Sequence, residues 1–313
     1  MRRSALVGMV VGLALGLAGQ ASAAMLYVQF PAAGSFTTPV VPSHDYSNDQ
    51  FDAVAADDFQ IGDGQVWKPE AVEVLGAAPQ QDGSHTATVT VYADAGGAPG
   101  TPVFSQSGLP VPDCDSGQPC NFTAQLSNAP PLSPGGYWLS VQTAGDSPWW
   151  WQVHTPDATY GAPAVWQNPA NGIPPGRNCL TWATLLDCQW TDATHGKDFI
   201  FALHGTLIDS RFSVGSFTTK RLKLFVNVNV PAAGRMAIGG KGVKKTSKQI
   251  GAGAQKIRVK LKKKVTKRLR RGKKAKLQVK LTFTATGGDA FTQATSVRLV
   301  PVSRARGLYR LAN

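Results

Sequence analysis

The side chains able to do chemistry here are carboxylates, histidines, tryptophans and lysines, and their spacing is informative. Asp57 and Asp58 are adjacent. Clustered oxygens suit a hard cation, but the spacing is not that of an EF-hand loop. The simpler reading is that both precede a strand and accept turn amides. Glu occurs only as Glu70 and Glu73, both on one expected strand. A glycosidase needs two carboxyl groups flanking a bond, and the acids of the first half could supply such a pair by chance. The histidines His44, His85, His154, His195 and His204 stand in no metal or nucleophile spacing, and no G-x-S-x-G elbow occurs. No catalytic residue, metal or cofactor is therefore expected, and the chain reads as a non-enzyme.

The tryptophans carry a stronger signal. All eight lie before residue 191, and four fall within Pro134 to Val153. This stretch predicts a β-hairpin, with Tyr137, Leu139 and Val141 on one face and Trp138 and Ser140 on the other. In Trp149-Trp150-Trp151, strand alternation sends Trp150 to the face opposite its neighbours. Exposed aromatic patches mark interaction sites, so Trp149, Trp150, Trp151 and Trp166 are the candidate glycan contacts. The competing reading is that the loop after the hairpin covers Trp150 in a second small core.

Charge divides the chain. Residues 24 to 208 hold three basic side chains (Lys68, Arg177, Lys197) against 17 acidic, a net of −14. Residues 209 to 313 hold 27 Lys and Arg against Asp209 and Asp289, a net of +25. Such asymmetry marks a domain boundary and points to different partners for the halves. The basic half would hold a polyanion, with Lys256, Arg258, Lys260, Lys262, Lys274, Lys276 and Lys280 as candidate contacts and a basic turn, Lys267 to Lys273, between them. Mutual attraction of the two halves is the alternative use of the charge.

The elements that must position these groups read as strands. Residues 1 to 23 look like a signal peptide. Arg2 and Arg3 precede an apolar run from Ala5 to Ala18, and Ala21-Ser22-Ala23 forms a small-residue cleavage site. No second long apolar segment follows, so a secreted or surface-associated chain without a membrane span is expected. Cys114, Cys120, Cys179 and Cys188 then imply disulfides. Three connectivities are open; local pairing, 114 with 120 and 179 with 188, ties one loop each and is preferred. A four-Cys zinc site would need x2 spacings, not x5 and x8.

Residues 24 to 208 read as an acidic, Trp-rich antiparallel sandwich. Its expected strands are 25 to 30, 66 to 76, 86 to 93, 122 to 126, the central hairpin, and 199 to 207. Residues 155 to 196 read as a long ordered loop. In residues 209 to 313, Leu222, Leu224, Val226, Val228 and Val230 share a face. Ile257, Val259 and Leu261 alternate with basic residues, as do Ala275, Leu277, Val279, Leu281 and Phe283. That predicts a second, small immunoglobulin-like sandwich, giving an all-β chain of two domains.

Four motifs together resemble a class of exported bacterial β-sandwich proteins, many of which carry PEP-CTERM sorting tails. They are Ala56-Asp57-Asp58-Phe59, the turn from Val91 to Gly100, the strand Leu132 to Ser140, and Asp198 to Gly205. The sorting tail itself is absent. The second half resembles the Lys-rich β-sandwich modules that end many actinobacterial exported proteins, through residues 237 to 245 and the turn Thr284 to Gly288. Both resemblances imply fold and export, and neither implies an activity.

The leading expectation is an exported, non-enzymatic binding or structural protein of the cell envelope. Its basic half would attach to anionic wall polymers, and its Trp-rich half would contact glycan or a partner. The alternatives are an exported hydrolase acting on polysaccharide and a nucleic-acid binder. The last is disfavoured by export and by the few aromatic residues among the lysines.

Overall fold

The computed structural model describes residues 23–30, 40–77, 85–113, 119–145, 148–154, 161–173, 179–190, 197–220, 223–303 and 308–311. The expected signal segment, Cys114, Arg177 and His195 lie outside the described residues.

Strands dominate. The first are β1 (Ala24–Val28), β2 (Val40–Pro42), β3 (His44–Asp45), β4 (Val54–Ile61), β5 (Gln65–Val74), β6 (Gly76–Ala77) and β7 (His85–Asp94). Next come β8 (Pro99–Val111), β9 (Phe122–Gln125), β10 (Gly135–Ala144), β11 (Trp150–Gln152), β12 (Val165–Gln167), β13 (Ala183–Thr184) and β14 (Phe201–Asp209). Two sheets, β1-β14-β5-β9 and β13-β12-β4-β10-β7-β8, enclose one core, and a small sheet, β2-β11-β6, contributes Trp151 to it. The inward set follows strand period: Val72 and Val74, Val89 and Val91, Leu139 and Val141, Phe201 and Leu203.

The expected hairpin does not form. β10 pairs with β4 on one edge and with β7 on the other, whereas β11 pairs with β2 and β6. β3 takes the end of the β4 edge at Thr143 and Ala144, so both edges of β10 are hydrogen-bonded and leave no donors for β11. The stretch read as a long loop also contains β12 and β13, and β12 extends the large sheet through β4. Asp57 and Asp58 lie inside β4 rather than ahead of a strand.

The second half holds β15 (Ser213–Lys220), β16 (Lys223–Val230), β17 (Gly234–Gly239), β18 (Thr246–Ile250), β19 (Gly253–Val259), α1 (Lys263–Arg270), β20 (Ala275–Ala285), β21 (Ala290–Ser303) and β22 (Leu308–Leu311). A three-stranded sheet, β15-β16-β19, faces a five-stranded one, β18-β17-β20-β21-β22. Both feed a separate core that includes Leu224, Val226, Ile257, Val259, Leu277, Val279, Leu281 and Phe283. This is an immunoglobulin-like arrangement in which the fourth strand joins the third instead of the first sheet. Part of the basic turn is helical. α1 buries Leu269, so this one apolar anchor draws a Lys- and Arg-rich turn of helix onto the sandwich.

Only three residues separate β14 from β15. The Ser210 N–H donates to Gly64 O at 2.6 Å, and Ser210 Oγ accepts the Ala285 N–H at 2.9 Å.

Candidate functional site

Strand alternation decides the fate of the tryptophans. Trp149 and Trp151 point into the first core, with 3% and 0% of their surface exposed, and Trp166 is also at 0%. Each indole N–H donates to a backbone carbonyl: Trp149 to Cys120, Trp151 to Ile200 and Trp166 to Pro42, at 2.8 to 3.0 Å. Trp151 also stacks on Phe199 with ring centroids 4.6 Å apart. Of the four glycan candidates, these three are thus corrected to core residues, because a ring without solvent exposure has no face to offer a sugar. Trp150 does point the other way. It is half-buried, and Trp190 from the following loop meets it edge-on at 6.2 Å. Its Nε1 is buried without a hydrogen-bond partner.

A second aromatic group, not anticipated from the tryptophan run, lies on the outer face of the large sheet. Asp58, Trp138 and Tyr92 stand in one cross-strand row on β4, β10 and β7. Trp182, from the loop closed by Cys179 and Cys188, meets Tyr92 edge-on at 6.0 Å. Burial raises the Asp58 carboxyl to about 6, even though it accepts the Ala162 N–H at 2.9 Å. The Trp138 N–H, donated to Asp94 at 2.8 Å, holds that carboxyl below its ordinary value. Gly96 and Gly97 amides also donate to Asp94, so its oxygens are already committed to the turn.

On the core side of β4, Asp57 is fully buried. Its Oδ2 accepts from Gln29 Nε2 and the Phe199 N–H, and its Oδ1 from the Asp58 N–H. Burial, then the neighbouring Asp198, raises its carboxyl well above the ordinary value. Both acids are without solvent exposure. They hold the fold together at a place no substrate reaches. His44 is likewise internal, bonded to Thr143 Oγ1 and Gly145 O, and burial lowers it to about 4. Cys179 is bonded to Cys188, and Cys120 is in a disulfide. Among the described residues, no group of three or more His, Cys, Asp or Glu could hold a metal ion.

The basic half is different in kind. Lys256, Arg258, Lys260, Lys262, Lys274, Lys276 and Lys280 are all exposed. They do not share one surface. Lys256 and Arg258 project from β19 on the three-stranded sheet, whereas Lys276 and Lys280 project from β20 on the opposing sheet. Lys256 Nζ lies 5.5 Å from the Phe225 ring centroid, a cation–π contact on the first of these faces. On the second, Lys276 sits across from Arg298, and Lys280 across from Gly239. Ion pairs among the described residues are His204–Glu73 and Arg211–Asp209. Among the described residues no Lys or Arg from 223 to 300 is paired with a carboxylate.

Fold and site together describe an all-β chain with two cores and two oppositely facing basic surfaces. No family model matches it, and no curated protein matches it. Among solved structures it is similar to a GH2 β-galacturonidase from Eisenbergiella tayi bound to galacturonate, at 14% identity and a TM-score of 0.20, over 79% of this chain and 36% of that one. It is also similar to a β-D-glucuronidase from Dictyoglomus thermophilum, at 13% identity and a TM-score of 0.21, over 79% and 37%. The chain thus spans little more than a third of either relative, and a superposition this loose assigns it no activity.

Proposed function

We propose that this is an exported, non-enzymatic attachment protein whose basic sandwich holds an anionic polymer of the cell envelope. The observation that carries the reading is the set of exposed, unpaired Lys and Arg side chains on both outer faces of the second core. Like charges so placed repel one another, and a polyanion relieves that repulsion. Lysine acts as a point charge and reads charge density more than shape, which suits a repetitive polymer. Export is supported by the apolar leader sequence and by the Cys179–Cys188 bond, which persists in oxidising compartments. No described helix is long and apolar enough to cross a membrane.

The mature full-length chain should sediment with anionic wall material at low salt and release as salt rises, because surface attractions are screened beyond about 8 Å at physiological ionic strength. Retention that ignores salt would remove charge as the cause. Absence of retention at low salt would end the proposal.

A glycan contact by the first half is a second reading, favoured by Tyr92 and Trp182. Both rings are partly exposed, which suits stacking on a sugar, and Tyr92 shares its cross-strand row with Asp58, with Trp138 between them. Loss of polysaccharide retention in Trp182→Ala, with unchanged thermal unfolding, would support it. Unchanged retention would dismiss it.

A further inference from the structure

The two basic faces are not equivalent. The outer face of the five-stranded sheet carries two grooves on either side of Gly239 and Gly240. One, of about 410 Å³, is lined by Ala237, Gly239, Lys245, Thr246, Ser247 and Thr282, among others, with Lys280 at its wall. The other, of about 360 Å³, runs from Gly240 and Lys241 past Lys280 to Thr295 and Ser296. Lys280 and Gly240 border both, so the grooves meet there.

Glycine makes this convergence. Gly239 pairs across the ladder with Lys280, and a Cβ placed on it would stand 3.5 Å from Lys245 Cγ. The Lys245 stem thus lies at contact distance beside Gly239, and two lysines flank one bare stretch of backbone. Gly240 has φ +120° and runs against the Gln278 carbonyl, a conformation and an approach that only glycine supports. Besides Lys241, Gln278, Ile238 and Val279, the rest of the lining is small or hydroxylic, and it holds no aromatic ring and no acid.

We propose that this double groove is the seat of a linear phosphodiester polymer with a polyol backbone, held by Lys245 and Lys280. The inference rests on the polyanion reading above and names its face and ligand class. Three features of the groove fit that occupant. The charge at the groove is lysine, a compact point-charge donor that binds phosphate without needing a fixed planar geometry. The hydroxyls of Thr246, Ser247, Thr282, Thr295 and Ser296 can exchange hydrogen bonds with a polyol. The lack of an aromatic platform leaves nucleic-acid bases nothing to stack on.

The test uses the mature full-length chain and poly(glycerol phosphate) oligomers, with polygalacturonate and a single-stranded oligonucleotide as comparison ligands. Lys245→Ser with Lys280→Ser should weaken poly(glycerol phosphate) binding by about tenfold or more at low salt. It should also reduce the slope of log affinity against log salt by roughly 1.4, at about 0.7 for each phosphate contact of a flexible strand. Lys220→Ser with Lys223→Ser removes the same charge from the end of the other sheet and should cost less than about threefold. Ala237→Phe fills the groove without changing charge and should also weaken binding, with thermal unfolding showing that each variant is folded. Equal losses in the two lysine pairs, or unchanged binding in Ala237→Phe, would overturn the groove while leaving the polyanion function standing. Equal or tighter binding of polygalacturonate or the oligonucleotide would overturn the ligand class. No binding of any polyanion by the unaltered chain would end both proposals.

Discussion

The backbone N–H of Phe199 donates to Asp57 Oδ2 at 2.6 Å, joining β4 to the entry of β14 across 142 residues of sequence. β4 belongs to the large sheet and β14 to the four-stranded one, so this bond ties the two layers of the first core. Gln29, beside β1, donates to the same oxygen at 2.8 Å. An acid in the middle of a buried strand is tolerated because both of its oxygens are occupied.

Replacing Asp57 by Ala should therefore cost stability without touching surface charge. It strands the Phe199 and Asp58 amides and the Gln29 amide group, each buried donor left unpaired costing about 1–3 kcal/mol. Urea denaturation should show a loss of about 3 kcal/mol or more. A loss below about 1 kcal/mol would mean that water replaces the carboxylate and that the inter-layer tie is weak.

The same region makes stability depend on pH. Burial raises the carboxyls of Asp57 and Asp58, the latter to about 6. The folded chain then holds protons that the unfolded chain gives up near the ordinary carboxylate value of about 3.9. That contribution is complete at low pH and is lost as pH rises, between about 4 and 6 for Asp58. His44, lowered by burial to about 4, acts in the opposite sense over the same window, so the Asp58 contribution is read as a difference. With Asp58→Asn the urea midpoint should rise more steeply with pH between about 4 and 6 than in the unaltered chain. Asp94, held below its ordinary value, acts in the opposite sense and only at lower pH. A profile of unchanged slope in Asp58→Asn would contradict the assignment.

The two neighbouring indoles should respond differently to loss of their N–H. Trp151→Phe removes a bond to the Ile200 carbonyl inside a fully buried stack, whereas Trp150→Phe removes a donor that has no partner. Trp151→Phe should be the more destabilising by at least about 1 kcal/mol, the net worth of such a bond. Equal effects would place a partner on Trp150 after all.

The Cys179–Cys188 bond closes a short loop that presents Trp182 and keeps Leu180 and Leu186 exposed. Non-reducing peptide mapping should recover these two cysteines in one linked pair. Cys188→Ser should cost about 2–3 kcal/mol, the scale for a loop of this length. A pair linking Cys188 to another cysteine would overturn the local clamp.

Some of this was open to reading in the chain alone. Alternation in β10, β16 and β20 assigns their inward faces, since side chains in a strand must alternate whatever the partner. The same rule places Trp150 opposite Trp149 and Trp151. The charge division is a matter of composition, and exposed strand positions keep the lysines on the surface because a buried unpaired ammonium is too costly.

Only the tertiary structure decided which strands became neighbours. Where both faces of a strand carry tryptophan, alternation names the two faces but not which one meets the core, so the sequence could not tell that Trp149 and Trp151 are interior, nor that Trp166 is. Nor could it part β10 from β11, because pairing across β4 and β7 depends on contacts between residues far apart in the chain. Leu269 draws α1 onto the sandwich only because a core waits there. Lys245 and Lys280 lie 35 residues apart in sequence. They flank Gly239 because of the β17–β20 register, and register is set by the packing of whole sheets.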